Sequence, residues 1–208
     1  MFTGIIQAQG NIQEIRISDK GAVFVFNSNS LDLSDVSIGD SIAVNGACLT
    51  VKKLDNNSFS ADVSQETLKC STFSQLEKGQ SINLEKSLRL DQGIDGHLVS
   101  GHVDGVGEVI SLKKEGESTR LKIKVNNDLS KYIAKKGSIC INGVSLTVNS
   151  VEADIFDVNL VPHTLSVTTL GELIENSSVN IEIDIIARHV EQLISHKTSS
   201  GKDMSTSK

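Results

Sequence analysis

Tryptophan is absent, and only six Phe and one Tyr occur among 208 residues, so the chain lacks the aromatic platforms on which single-stranded nucleic acid stacks. Positive charge is short as well: 20 Lys and Arg against 26 Asp and Glu leave a net charge of -6, the wrong sign for holding a polyanion. No nucleic-acid partner is expected. Apolar runs never approach the ~20 residues that span a bilayer, and the opening MFTGIIQAQG has neither the basic nor the apolar stretch of a secretory leader. The expectation is a cytoplasmic protein with no membrane partner. Cysteine is limited to Cys48, Cys70 and Cys140, an odd set without a CxxC pair, which argues against a disulfide framework and a zinc cage and predicts reduced thiols. What is left, 38% hydrophobic and 22% charged residues, is the composition of a soluble globular protein.

The chain is written twice. Displacing it by 97 positions lays residues 41–51, SIAVNGACLTV, over residues 138–148, SICINGVSLTV, with seven of eleven identical, where residue frequencies alone give about one. The same displacement superposes Gly4 on Gly101, Gly10 on Gly107, Phe59 on Phe156, Thr67 and Leu68 on Thr164 and Leu165, and Thr72 on Thr169. It also sets Asn83 and Glu85 over Asn180 and Glu182. A period this long suits a small domain rather than a solenoid unit, so two tandem copies of one fold follow, each with its own core.

Within a copy the pattern has a period of two. Charges alternate with aliphatics over residues 120–125, as on a strand with one wet face. Residues 22–26, 42–44, 59–63, 155–160 and 179–183 are similarly rich in strand formers, and turn signals such as Asp55-Asn56-Asn57 and Glu115-Gly116 separate them. The fold class is therefore all-β, with about six strands per copy in a small antiparallel barrel or sandwich. The Gly- and Asp-rich residues 91–96 suit a linker, which puts the copies at 1–97 and 98–184. Thereafter Ile186, Val190, Leu193 and Ile194 fall on one face of a helix placed at 185–197. A short lone helix is marginal in water, so this stripe needs cover from its own barrels or from other subunits. The Ser-, Thr- and Lys-rich residues 198–208 read as a disordered tail.

The repeated Asn-Gly-x-x-Leu-Thr-Val element puts Cys48 and Thr50 on one strand face and Leu49 on the other, with Ser145, Thr147 and Leu146 matching them. Small polar side chains packed in a barrel would explain one such strand; their recurrence, with Cys48 exchanged for Ser145, points to two related pockets with divided duties. His102 stands beside Gly101 where the first copy has Ile5 beside Gly4, so one copy carries an ionisable group that is structural or suited to acid-base work. His97 and His102 are five residues apart and, on a strand, point to opposite faces, which discards a shared metal. Gly105-Val106-Gly107 lacks the third glycine and the helix of a dinucleotide site. Asp184 precedes the helix, where it serves as an N-cap or a functional carboxylate. Lys136 reads as a solvated turn charge. Asp62 and Glu66, against Asn159 and His163, either meet ligand hydroxyls or face solvent.

Taken together, MFTGII, NGACLTV, GHLVSGHVDG, INGVSLTV, the Pro162-His163-Thr164-Leu165 element and NIEID before the helix resemble the riboflavin synthase family of the α-chain type, with two lumazine-binding repeats, over nearly the full chain. The resemblance implies two six-stranded Greek-key barrels, a homotrimer joined through C-terminal helices, association with lumazine synthase, and no external cofactor or metal. It implies a dismutation in which two 6,7-dimethyl-8-ribityllumazine molecules per site exchange a four-carbon unit, giving riboflavin and 5-amino-6-(D-ribitylamino)uracil. The reacting pockets would come from the first barrel of one subunit and the second barrel of a neighbour. His102, helped by Ser145 and Thr147, would remove a proton from the C7 methyl of one substrate. Cys48, water or a ribityl hydroxyl would add at C7 of the other. Asp184 would balance charge, while Ser41 and Phe2 shape the first pocket.

By the same resemblance, ligand contacts fall on Gly4, Ile5, Ile6, Cys48, Leu49, Thr50, Asp62, Val63, Ser64, Gln65, Glu66 and Thr67 in the first repeat. In the second they fall on Gly101, His102, Val103, Lys136, Ser145, Leu146, Thr147, Asn159, Leu160, Val161, Pro162, His163 and Thr164. One departure from the family pattern is Asn142, where an Asp is frequent. The rival reading is a binding protein that keeps both barrels and carries a lumazine or flavin as a chromophore; the presence of Cys48, His102, Ser145 and Asp184 favours the enzyme.

Overall fold

The computed structural model describes residues 1–200, with side chains placed as far as Ile194. Two closed six-stranded antiparallel barrels account for most of it. The first contains β1 (Ala8–Ser18), β2 (Gly21–Asn27), β3 (Ser41–Val44), β4 (Ala47–Asp55), β5 (Ser58–Ser64) and β6 (Ser81–Lys86). A six-residue helix, α1 (Gln65–Cys70), lies between β5 and β6. The second barrel contains β7 (Gly105–Glu115), β8 (Ser118–Lys124), β9 (Ser138–Ile141), β10 (Val144–Glu152), β11 (Ile155–Leu160) and β12 (Ser178–Ile183). Here α2 (Asn127–Ser130) follows β8 and α3 (Pro162–Val167) follows β11.

Around the first barrel the order is β1-β2-β5-β4-β3-β6, and the second repeats it. The long connection from β2 to β3 passes over the barrel so that β2 pairs with β5, the Greek-key arrangement. Closure needs bent strands, and the bends are duplicated too. Register slips at Ile12/Glu14 and Val51/Lys53 recur at Val109/Ser111 and Val148/Ser150, the local kinks by which a sheet curls on itself.

The cores follow the period of two. Ile12, Phe24, Phe26, Leu49, Phe59 and Leu84 fill the first barrel; Val109, Leu121, Ile123, Phe156, Val158 and Ile181 fill the second. Sequence periodicity left the short helices after β5 and β11 unseen, because their signals are caps rather than patterns. The Thr67 amide donates to Ser64 Oγ at 3.0 Å, and Pro162 opens α3 at a position that needs no amide donor.

The barrels meet at their Asn-Gly turns. Asn45 and Gly46 have φ of 45° and 81°, Asn142 and Gly143 of 47° and 83°, the left-handed pair that a tight hairpin demands. A Cβ on Gly46 would come within 2.8 Å of the Gly143 nitrogen. Two buried asparagines lock this contact. Asn83 Nδ2 donates to Asn142 O at 2.8 Å and its Oδ1 accepts the Thr169 amide at 2.8 Å. Asn180 Nδ2 donates to Asn45 O at 2.8 Å and its Oδ1 accepts the Thr72 amide at 2.7 Å. Asn142 Oδ1 accepts the Asn180 amide at 2.7 Å, just as Asn45 Oδ1 accepts that of Asn83 at 2.8 Å. The amide in place of an acid at 142 thus occupies the structural role of its counterpart.

The C-terminal helix α4 spans Ile185–Ser200. Residues 198–200, read from composition as the start of a tail, continue the helix; the rest of that tail, 201–208, lies outside the described residues. Arg188 pairs with Asp104, and Glu191 meets Tyr132 and, at 2.7 Å, Lys131 Nζ, which fixes α4 to the second barrel by its polar side. Ile186, Val190, Leu193 and Ile194 are 61%, 48%, 68% and 58% exposed, so the chain's own barrels do not cover the stripe. No helix among the described residues is long and apolar enough to cross a membrane.

Candidate active site: two pockets with exchanged arms

Each barrel receives a glycine arm that precedes the opposite barrel. The Cys48 amide on β4 donates to Gly101 O at 2.7 Å, and the Ser145 amide on β10 donates to Gly4 O at 2.8 Å. Contact is so close that a Cβ on Gly101 would lie 2.6 Å from Cys48 Cβ, and one on Gly4 would lie 2.6 Å from Ser145 Cβ. Both glycines also hold left-handed backbones, with φ of 81° and 77°, so no other residue fits without strain. Val103 packs on the first core and Ile6 on the second.

This exchange regroups the candidate residues. Gly101, His102 and Val103, taken with the second repeat in the sequence, stand with Cys48 and the core of the first barrel. Gly4, Ile5 and Ile6 stand with Ser145, Leu146 and Thr147 of the second. The displacement of 97 relates these two groupings to each other but is silent on which arm lies against which barrel. His102, on the Cys48 side, is not brought together with Ser145 and Thr147 within one chain. Between the arms, Phe2 and Val99 pair through amide-to-carbonyl bonds of 2.7 and 3.1 Å and bury their side chains with Ala43 and Cys140. Phe2 is 0% exposed, its ring so close to Gly101 that a Cβ there would lie 2.8 Å from it.

Other candidates divide by the strand period. Thr50, Thr147, Asp62 and Asn159 are exposed, whereas Leu49, Val63 and Leu160 turn into the cores, leaving only their main chain for a ligand. Lys52 Nζ holds Asp62 Oδ1 at 2.8 Å, and Glu66 Oε1 accepts the Cys70 thiol at 3.0 Å. Ser64 and Thr67 cap α1; Gln65 Nε2 reaches back to Asp19 O at 3.3 Å. Val161, Pro162 and His163 are exposed at the start of α3, with Thr164 half-buried. Ser41 pairs with Thr50 across β3 and β4. Lys136 adopts φ of 68° where the first repeat has Gly39 at 98°, a left-handed turn that a lysine enters against its preference. Asp184 caps α4, its Oδ1 accepting the Ile186 amide at 2.9 Å.

The residue that spacing missed is His97. Its Nδ1 lies 2.6 Å from Ser145 Oγ, and its amide donates to Thr3 O at 3.1 Å. Burial holds the imidazole pKa below 6.5, with the Asp184 charge pulling the other way, so the ring is neutral near neutral pH and able to exchange a proton with Ser145. The displacement pairs residue 98 with Met1, so repeat comparison has no counterpart by which to single His97 out. His97 thus lies beside Ser145 of the second barrel, whereas His102 follows the arm docked on Cys48 of the first. No cluster of three or more His, Cys, Asp or Glu suited to a metal occurs among the described residues. Cys140 is sealed in the inter-barrel cluster, and burial pushes its thiol pKa well up.

The family described as "Lumazine binding domain" matches residues 3–87 and again 100–184, two segments displaced by the same 97 positions. The chain is 48% identical over 194 residues to the riboflavin synthase of Photobacterium leiognathi, covering 93% of this chain and 89% of the relative. It is 37% identical over 206 residues to that of Bacillus subtilis (strain 168), covering 99% and 95%. Among solved structures, LumP complexed with 6,7-dimethyl-8-(1'-D-ribityl) lumazine superposes with a TM-score of 0.78 at 28% identity, over 88% of this chain and 98% of that one.

Proposed function

The chain belongs to the lumazine-binding family of riboflavin synthases, and from that premise we propose that it converts two molecules of 6,7-dimethyl-8-ribityllumazine into riboflavin and 5-amino-6-(D-ribitylamino)uracil. One molecule gives up a four-carbon unit and the other receives it. The products together contain every atom of the two substrates, with no net oxidation, so no external cofactor enters. The observation that carries this reading is the pair of related but non-identical pockets, Cys48 with His102 in one and Ser145 with His97 in the other.

A reaction between two identical molecules is served by pockets that hold both in register, and such positioning supplies roughly 7–11 kcal/mol of a bimolecular barrier. His102, exposed beside Cys48, acts as the acid-base group at the C7 methyl of the first substrate, whose carbanion is stabilised by the pteridine. Cys48, water or a ribityl hydroxyl adds at C7 of the second. Ser145, coupled to His97, passes protons in the facing pocket, with Asp184 balancing charge and Thr147 beside it. The exposed groups at Thr50, Asp62, Asn159 and Lys136 receive the ribityl chain and the ring edge.

In one chain His102 and Ser145 serve different barrels, with the buried Phe2 and Val99 pair between the arms. The complete site therefore takes the first barrel of one subunit and the second barrel of a neighbour. The exposed stripe of α4 supports a homotrimer as that assembly. Transferase chemistry in the cytoplasm, and association with lumazine synthase, complete the reading; they rest on the family resemblance.

Incubating the purified protein with the lumazine and following riboflavin absorbance tests the proposal. Steady product formation is expected. Tight binding of the lumazine without product would identify a chromophore carrier instead, the activity-free alternative.

A further inference from the structure

Glu85 on β6 and Glu182 on β12 occupy equivalent places, and the mechanism above uses neither. Both are buried. Glu85 accepts the Thr3 amide at 2.6 Å, Thr3 Oγ1 at 2.8 Å and the Gly4 amide at 3.0 Å. Glu182 accepts the Ser100 amide at 2.6 Å, Ser100 Oγ at 2.7 Å and the Gly101 amide at 3.0 Å. A carboxylate withdrawn from water persists only when its lone pairs are filled, and here one short arm fills them. The same arms then turn to the opposite barrel, where Gly101 O receives the Cys48 amide and Gly4 O that of Ser145. Ser100 Oγ also accepts the His102 amide, and Thr3 Oγ1 that of Ile5, each at 3.3 Å.

We propose that Glu182 and Glu85 are positioning residues that act crosswise: Glu182 of the second barrel orders the Cys48 and His102 pocket of the first, and Glu85 of the first orders the Ser145 pocket of the second. The proposal rests on the dismutation reading. Each carboxylate grips two successive amides and a hydroxyl, which sets the direction in which the left-handed glycine delivers the next residue. Burial pushes both carboxyl pKa values up, against these hydrogen bonds. Glutamine keeps the shape but turns an NH2 group towards an amide N–H, so one bond of the grip becomes a clash of donors.

The test places Glu182→Gln and Glu85→Gln in the full chain, alone and combined with Cys48→Ala and Ser145→Ala, and measures riboflavin formation and lumazine binding. Each Gln variant is expected to lower kcat by about a hundredfold, the cost of a misplacement of roughly an ångström, with KM moved far less. The couplings should cross. Cys48→Ala should cost much less on top of Glu182→Gln than in the wild type, yet its full factor on top of Glu85→Gln; Ser145→Ala should show the reverse. Plain multiplication in every pair, or coupling within each repeat, overturns the proposal. Should a Gln variant fail to fold, Ser100→Ala and Thr3→Ala remove one hydroxyl from each grip and carry the same crossed cycle, at about a tenfold effect. A wild-type protein that binds two lumazines without making riboflavin defeats the dismutation alone. The crossed cycle is then read in the two lumazine dissociation constants.

Discussion

The two barrels share strand order, bulges and turns, yet differ in what fills them and in what they display. In the first, Phe24, Phe26, Phe59 and Phe73 form an aromatic cluster with centroids 5.1 to 5.7 Å apart. The second keeps Phe156 but has Leu121, Ile123 and Leu170 at the other three places. The frame tolerates that exchange because a core asks for apolar volume and pattern before it asks for a particular ring. The pockets have diverged differently. Cys48 is replaced by Ser145 at the equivalent place in the second repeat, and Ile5 by His102, while His97 meets Ser145 from the linker. Divergence in the core preserves one shape twice; divergence at the pockets is what the proposed dismutation would use to give two identical substrates unlike roles.

The comparison breaks most completely if the pockets cannot meet. Val190→Glu with Leu193→Glu puts charge on the exposed stripe of α4 and should leave monomers in sedimentation. Turnover should fall by at least about a hundredfold while each chain still titrates two lumazines. Full activity in a monomer would show that one chain supplies both halves.

His102→Ala is expected to cut turnover by about 10² to 10⁴ with lumazine binding kept, as for loss of an acid-base group. Cys48→Ala, made separately, should also lose turnover with binding kept. Activity unchanged in either variant removes that residue from the chemistry.

Asn83→Ala and Asn180→Ala probe the shared frame. Each strands a buried carbonyl and a buried amide, Asn142 O with Thr169 N or Asn45 O with Thr72 N, and should cost about 2–4 kcal/mol in urea unfolding. Costs differing by more than about 1 kcal/mol between the two would show that the inter-barrel contact is not energetically symmetric.

The smallest effect concerns pH. His97 is held below its ordinary pKa of 6.5, so the folded chain binds fewer protons there than the unfolded one. Its contribution to stability is present above 6.5 and is lost as pH falls through the lowered folded value. The difference in unfolding midpoint between wild type and His97→Gln should shrink across that window. Glu85 and Glu182, raised by burial, contribute with the opposite sign, their stabilisation being lost as pH rises through the raised folded values; they cancel in the difference between the two proteins. A difference that stays constant with pH would assign the low pKa to another group.

Much of this was legible in the residues. Alternation placed the strands, because a half-wet strand must present apolar side chains every second position. Asp184 marked the start of α4, whereas the hairpin role of the Asn-Gly pairs emerged only from their left-handed backbones. The Cys48 and Ser145 correspondence singled out the two strand positions on which the exchanged arms dock. The helices α1 and α3 were hidden, since a single turn of helix is set by a cap and a neighbouring surface, and a few residues carry no period. His97 was hidden because it has no counterpart and its partner lies 48 positions away.

The sequence by itself determined that one barrel is built twice and which side chains turn inward, for these are properties of spacing along the chain. Only the tertiary structure decided that the arms are exchanged. That choice depends on which buried carboxylate finds enough donors, at a separation of 82 residues in both grips, and on which strand amide finds a carbonyl, Cys48 that of Gly101 and Ser145 that of Gly4. Where each pocket's chemistry sits is set by those long-range pairings, and no local pattern encodes them.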